Sequence, residues 1–522
     1  MARPANSKKA TEVASAKSLE AQLWEAADKM RGAVPPSDYM HVSLGLVFLR
    51  YLSVAFEAKF TELTNTPHAD PHDSEEYLSQ GVYWVPEEAR WRTLAANARA
   101  SDIGRQLDDA MRSLERDNDA LRGVLPKIFG KPDFSSQMLG GLIDHFTNLN
   151  LKGSSDDFDL LGRVYEFFLG EFSAMQGRTG GEQYTPRGIV ALLVDMIEPL
   201  HGRVYDPCCG TGGFFIQSQK FVQAHSGKIG DIAIYGQERN PETHRLARMN
   251  LAIRNINANI QWNNEGTLLK DAHPDLRFES ILANPPFNIK DWAGDLLKDD
   301  ARWRFGVPPE GNANFAWLQH IVHHLAHNGH AAVVLANGSM SSNQSGEGDI
   351  RKSMVEGDVV DCMMALPGQL FFGVQIPVCI WILTKDKKGG VSASGKHLRS
   401  RVGETIFIDA RKLGHMITRT QKAFSDGDLR RLADTYHHWR EGNGYEDVAG
   451  FCKSATKEEI AAHGYVLTPG RFVGAEDLED DGEPFEAKMS RLVAELDAQF
   501  AESAKLESAI RGNLTRLGFG SC

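Results

Sequence analysis

At 522 residues, 42% hydrophobic and 24% charged, the chain is too long for one compact domain and has the composition of a soluble globular protein with two or three. A formal charge of −12 argues against gripping nucleic acid by overall charge alone, although a local basic groove stays compatible with it. No apolar run reaches the ~18–20 residues of a membrane span. Met1 to Lys17 lacks the apolar core of a secretion signal, and six scattered cysteines with no C-x-x-C pair fit a reducing cytoplasm.

Leu19, Leu23, Trp24, Ala27 and Met30 recur at helical spacing, and Gly32 with Pro35-Pro36 ends that run. Val42, Leu44, Val47, Phe48, Tyr51, Leu52 and Phe56 mark a second apolar helix. A polar loop follows around Thr64–Glu76, then helical segments near 104–115 and 135–150. With no strand-rich stretch before about residue 200, residues 1–175 read as an all-helical domain, 1–17 of it disordered. From Arg203 short apolar runs alternate with helical ones: Arg203–Tyr205, Ile232–Gly236, Ile281–Ala283, Ala331–Leu335, Val359–Leu366 and Val378–Leu383. That alternation predicts an α/β domain over 176–455 with a largely parallel sheet. Lys385–Arg401 reads as an exposed loop and Thr405–Asp409 as one more strand. Residues 456–522 are expected to form a helical tail. There Phe485, Met489, Leu492, Leu496, Leu506, Ile510 and Leu517 keep a near-heptad spacing that needs a partner, either this chain's own helices or another subunit.

Three segments carry chemistry. Asp206-Pro207-Cys208-Cys209-Gly210-Thr211-Gly212-Gly213-Phe214 joins a strand to a helix; its glycines allow a tight turn and a close backbone approach to a ligand. It lacks the G-K-[ST] ending of a phosphate loop, and by itself such a turn can serve packing alone. Glu238 ends the next strand, where a carboxylate commonly accepts ribose hydroxyls, although alone it is an ordinary loop residue. A third strand ends in Asn284-Pro285-Pro286-Phe287. Two prolines fix the backbone and remove donors, leaving carbonyls unpaired, and Asn284 adds a side-chain carbonyl. An exocyclic amino group donating to Asn284 and to the Pro285 carbonyl would aim its lone pair at a sulfonium methyl. Phe287 can stack on a base, which must first leave a duplex. The plainer reading of the tetrapeptide is a strand-terminating turn.

In this order these residues resemble the gamma-type amino-methyltransferases of DNA, and more closely the modification subunit of type I restriction-modification systems, over most of the chain. The resemblance extends to Gly311-Asn312-Ala313-Asn314-Phe315-Ala316-Trp317, Leu335-Ala336-Asn337-Gly338, Leu366-Pro367 through Pro377, and Leu23-Trp24 to Arg31-Gly32. It implies a Rossmann-like S-adenosylmethionine-dependent methyltransferase domain that methylates adenine N6 in double-stranded DNA. Catalysis would fall to Asn284, Pro285, Pro286 and Phe287. The cofactor would be held by Glu182, Gln183, Tyr184, Thr185, Pro186 and Arg187, which precede the first strand, by Asp206, Gly210, Thr211, Gly212 and Gly213, and by Glu238. The implied partners are a specificity subunit that reads the sequence, two copies of this chain per complex, and a restriction subunit in the complete system. One departure stands out: relatives often carry Gly-Asp-Ser/Thr-Leu after the third strand, whereas here it is Asn264-Glu265-Gly266-Thr267-Leu268, leaving Asn264 or Glu265 to substitute for the Asp.

Other readings are less economical. Cys208 after Pro207 matches a cytosine-C5 nucleophile, but amino methylation needs no covalent intermediate. His320, His323, His324 and His327 have metal-compatible spacing, yet the apolar Leu318, Ile321, Val322 and Leu325 opposite them predict a solvated polar face and no metal. Phe371 and Phe372 offer either a second stacking face or core packing. The helical N-terminus holds no convincing nuclease motif, and no large target-recognition domain follows the last strands. Protein glutamine-N5 methylation uses a similar Asn-Pro-Pro-aromatic turn, and a cofactor-binding scaffold without catalysis is the non-enzymatic alternative.

Overall fold

The structure, a computed structural model, describes Trp24 and residues 36–148, 162–171, 185–225, 227–228, 230–371, 377–392, 395–475 and 485–516. The described residues up to 475 include one compact unit ending at Gly474, and those from 485 belong to another. Of the expected helix at Leu19–Met30 only Trp24 lies within the described residues, edge-on to Phe168 at 5.5 Å.

Among the described residues before Gly202 every regular element is helical. Helix α1 (Pro36–Thr64) carries apolar residues on all sides, the pattern of a core helix. Val42, Leu44, Val47, Phe48 and Leu52 are at most 2% exposed, each contributing roughly 1.5–3 kcal/mol of burial. Its close packing needs Gly45, where a Cβ would sit 2.8 Å from Phe129. The segment Met40–Thr64 is also long and apolar enough to cross a membrane by length and composition, which corrects the expectation that no such run exists; 78% of its most apolar window is buried inside the protein. Helices α2 (Ile103–Asp117) and α3 (Ser136–Thr147, capped by Ser135 on the Met138 N–H) pack into the same core. Trp91 ties its parts together through Ser53 and Thr147.

The α/β region is built on a nine-stranded sheet. In chain order the strands are β1 (Gly202–Asp206), β2 (Ile232–Glu238), β3 (Ala258–Trp262), β4 (Phe278–Ala283), β5 (Leu325–Ala336), β6 (Val360–Ala365), β7 (Val378–Thr384), β8 (Gly390–Val391), β9 (His397–Leu398), β10 (Glu404–Asp409), β11 (His415–Met416), β12 (Lys422–Ala423) and β13 (Cys452–Thr456). The large sheet runs β13-β10-β6-β7-β5-β4-β1-β2-β3, while β8-β9 and β11-β12 are separate two-stranded ribbons. β7 and β13 are antiparallel to their neighbours and the remaining pairings are parallel. Apart from β7, the strands from β1 to β6 and β10 therefore end on one edge, where ligands of such sheets bind. Helices α4 (Arg187–Ile197), α5 (Gly213–Ala224), α6 (Pro241–Ala252) and α7 (Asn314–His324) cover the sheet.

The two regions share a core. Leu246, Met249, Ala252 and Ile253, on or just after α6, pack in the same cluster as the α1 residues, and Arg248 donates to the Ala120 carbonyl at 2.9 Å. Two expectations need correction. Within Lys385–Arg401 the ends are anchored in the interior: Lys387 donates to Asp358 and to the Val360 and Glu404 carbonyls, and Arg401, fully buried, pairs with Asp361. Asp358, just before β6, and Asp361 on it supply the partners that a local reading does not see. The expected strands end with Thr405–Asp409, yet Cys452–Thr456 forms a further strand, held by antiparallel pairing to β10.

Helix α8 (Phe485–Arg516) forms the second unit with its own i,i+4 pairs, Arg491–Glu495 and Arg511–Glu507. Met489, Leu492, Leu496, Phe500, Leu506 and Ile510 are 43–64% exposed. The side chain of Phe485, and Leu517 altogether, lie outside the described residues.

Candidate active site

A cavity of about 1040 Å³ opens at the carboxyl edge of the sheet, at the upper end of the ~300–1,000 Å³ usual for small-ligand sites. Asp206, Gly210, Thr211, Gly213, Glu238 and all of Asn284, Pro285, Pro286 and Phe287 line it, with Thr185 and Arg187. Pro186 and Gly212 do not: Pro186 caps α4 and Gly212, at φ +80°, caps α5. Glu182, Gln183 and Tyr184 lie outside the described residues.

The turn after β1 is tied to the end of β2 through Glu238. One carboxylate oxygen accepts the Gly210 N–H at 3.0 Å, and the other accepts the Arg239 and Asn240 N–H groups at 2.8 Å each. Asn240 then caps α6 on Glu242 and Thr243. Gly236 in β2 is small because Phe215 sits where its Cβ would be, 2.9 Å away. Asp206 accepts the Cys208 N–H at 3.0 Å; its burial, with the Glu238 charge adding to it, raises the carboxyl to about 7. Burial also pushes the Cys208 and Cys209 thiols well above their ordinary value, the opposite of what a thiolate nucleophile requires.

At the end of β4, Asn284 donates through Nδ2 to the Thr185 hydroxyl at 2.9 Å. Its Oδ1 is buried in the cavity wall with no hydrogen-bond partner among the described residues, a situation that ordinarily costs on the order of 1–3 kcal/mol. Past Phe287 the chain turns at Asn288 with φ +55°. Asn288 and Asn314 exchange hydrogen bonds at 3.1 and 2.9 Å, which seats the start of α7 against the tetrapeptide. Phe371 meets the Phe287 ring edge-on at 6.2 Å, and Phe372 lies outside the described residues.

Sequence reasoning missed several wall residues. Trp292 and Trp317 line the cavity, and the Trp317 indole N–H is buried without an acceptor among the described residues. Met40, Glu166 and Leu169 reach it from the helical region. Glu166 holds Arg254 at 2.5 Å and Arg187 at 3.0 Å. Arg254 braces Asn250, which fastens the Thr211 carbonyl. No local pattern marks these residues, because their role comes from tertiary contact; only the position of Trp317 after Asn314 gave a cue. Of the pair weighed after β3, Glu265 lines the cavity and pairs with Lys270, while Asn264 is not among the lining residues.

The expected solvated histidine face of α7 is corrected: His320 and His324 are fully buried. Asp271, His320 and His324 place one ligand atom each within 4.8 Å, but the ring nitrogens already have partners. His324 faces the Leu276 carbonyl and Asp271, so both of its nitrogens are engaged. His320 lies between Tyr205 and Arg302; burial, then the His324 and Arg302 charges, push it well below its ordinary value. A guanidinium in the cluster opposes a divalent ion, and the arrangement is an ion-pair network bracing β1, α7 and the segment after β3.

Comparison with known proteins adds identity to this geometry. A family described as N-6 DNA Methylase matches residues 156–481, and one described as HsdM N-terminal domain matches 19–146. The chain belongs to the N-6 DNA methylase family. It is 46% identical over 455 residues to the type I restriction enzyme HindI methylase subunit of Haemophilus influenzae, covering 83% of this chain and all of the relative. It is 36% identical over 525 residues to the MjaIX methylase subunit of Methanocaldococcus jannaschii, covering 96% and 92%. The crystal structure of a type I restriction-modification methyltransferase subunit from Streptococcus thermophilus shares the fold with a TM-score of 0.71 at 24% identity, covering 87% of this chain and 98% of that one.

Proposed function

We propose that this chain is the modification subunit of a type I restriction-modification complex and methylates adenine N6 in double-stranded DNA. The observation that carries the reading is the buried, unpartnered Asn284 Oδ1 in the cavity wall: it is an acceptor held ready for an amino hydrogen. Thr185 fixes which end of the Asn284 amide faces the cavity by accepting from Nδ2.

S-adenosylmethionine suits the remaining residues and, when bound, supplies an electrophilic sulfonium methyl. Glu238 lines the cavity at the end of β2, where a carboxylate commonly accepts ribose hydroxyls, and Gly210 and Gly213 leave the wall free of side chains. Asn284 Oδ1 and the Pro285 carbonyl accept the two amino hydrogens of a flipped adenine, drawing its lone pair out of conjugation, while Phe287 stacks on the base. The held geometry contributes through orientation. Cofactor holding by 182–187 and by the turn after β1 belongs to the same proposal, as does a domain division into 1–175, 176–455 and a docking tail 456–522.

Double-stranded DNA, a specificity subunit, a restriction subunit and two copies of this chain complete the proposed assembly. The exposed apolar side chains of α8 support a tail that docks on a partner. A labelled-methyl assay with the co-expressed specificity subunit tests the reading: label in adenine of DNA supports it, and label in a release-factor glutamine instead supports the glutamine-N5 alternative.

A further inference from the structure

Between Ala410 and Ser425 the chain carries Arg411, Lys412, Arg419 and Lys422 and no acidic residue, in a protein of net charge −12. This segment is the β11-β12 ribbon, in register His415 with Ala423 and Met416 with Lys422. Its tip closes through Ile417 and Thr418 N–H groups on the Gln421 carbonyl. Met416 and Ile417 stand 46% and 52% exposed beside the cations, so the ribbon presents a mixed basic and apolar surface rather than a solubilising one. Among the described residues, Asp409 pairs with Arg411, and Asp428 faces Gly414 and His415.

The topology decides where this surface points. β10 runs parallel to β6, β6 and β5 both run antiparallel to β7, and β5 runs parallel to β4. The ribbon follows β10 and therefore leaves the sheet on the same edge as Asn284–Phe287. Four strand spacings separate β10 from β4 in the sheet order, roughly 19 Å at ~4.8 Å each, the length of five to six base pairs. A direct connection also exists: the Lys422 N–H donates to the Gln369 carbonyl at 2.9 Å, and two residues on, Phe371 packs against Phe287.

We infer that the β11-β12 ribbon is a duplex-DNA contact, its Arg419 and Lys422 meeting backbone phosphates about half a helical turn from the adenine presented to Asn284. The inference rests on the proposed function and deepens it by naming where on this chain the substrate is gripped. Phosphate contacts position a duplex without reading its sequence, which leaves sequence choice to another subunit.

The test uses the full chain co-expressed with its specificity subunit and a duplex oligonucleotide carrying the complex's own methylation site. The double variant Arg419→Ala, Lys422→Ala should raise the Kd and KM for duplex about tenfold or more near physiological salt. It should also flatten the slope of log K against log salt by about 1.8, since each phosphate contact contributes ~0.9. Affinity for S-adenosylhomocysteine and the melting temperature should hold, and Arg419→Lys, Lys422→Arg should restore binding. An unchanged duplex Kd and salt slope in a complex that still transfers methyl groups overturns the ribbon's role while sparing the proposed function. Loss of the specificity subunit on co-purification with an unchanged slope also overturns it, making the ribbon a protein contact. A parent complex that transfers nothing to DNA overturns both.

Discussion

Asn284 has one amide end committed to Thr185 and the other unpaired in a closed wall, and this asymmetry sets the residue-scale predictions. Asn284→Ala should cut methyl transfer by ~10²–10³-fold or more, the scale seen when one preorganised transition-state partner is removed, with S-adenosylhomocysteine affinity nearly intact in a calorimetric titration. Retained transfer would sink the mechanism. Asp206 yields a pH prediction. Its carboxyl is raised to about 7 by burial, so between about 4 and 7 the ligand-free folded state keeps a proton that the unfolded state releases. Stability from this group therefore falls as pH rises through that window and stays level above it. Asp206→Asn should show a larger melting-temperature gain over the parent at pH 8 than at pH 5; a gain independent of pH contradicts the assignment. The place of the tetrapeptide in the cavity wall was legible because the motif is contiguous: Asn, two prolines and an aromatic ring sit side by side in the chain. Trp292, Met40 and Glu166 were not, since each reaches the cavity only through tertiary packing.

Helix α7 shows the same limit for elements. Its apolar residues predict the buried stripe correctly, but no spacing rule foretells that His320 and His324 are buried too, because Asp271, Tyr205 and Arg302 come from other segments. Burial tends to raise the Asp271 carboxyl, and the His324 hydrogen bond and histidine charges outweigh it, holding the group well below its usual range. Its stabilising contribution is then present above ~4 and lost only as pH falls toward the depressed value. Asp271→Asn breaks the buried Asp271–His324 contact and should destabilise the fold by about 1–3 kcal/mol, read as a lower urea midpoint; an unchanged midpoint would refute its bracing role. Strands β1, β2, β4 to β7 and β10 were readable because each is an apolar run bounded by turns. β13, Cys-Lys-Ser-Ala-Thr, has too few apolar residues to announce itself and is held by register with β10. For α8, deleting 485–522 should leave S-adenosylhomocysteine binding unchanged and abolish co-purification with the specificity subunit; intact co-purification would move the docking surface elsewhere.

At the scale of the molecule, the helical region and the sheet share a core at α6, and residues of the helical region complete the cavity wall. A charge of −12 coexists with a basic ribbon at the catalytic edge, so net charge says little about where a polyanion binds. Joint construction of the site by two regions was not legible in the sequence, because shared cores leave no periodic trace. The central claim is transfer of a methyl group to adenine N6 at Asn284. The complex of this chain with its specificity subunit, given methyl-labelled S-adenosylmethionine and duplex DNA, should yield N6-methyladenine on nucleoside analysis, and the Asn284→Ala complex should yield essentially none. Equal N6-methyladenine from both complexes, or label recovered only in protein glutamine, would contradict the account.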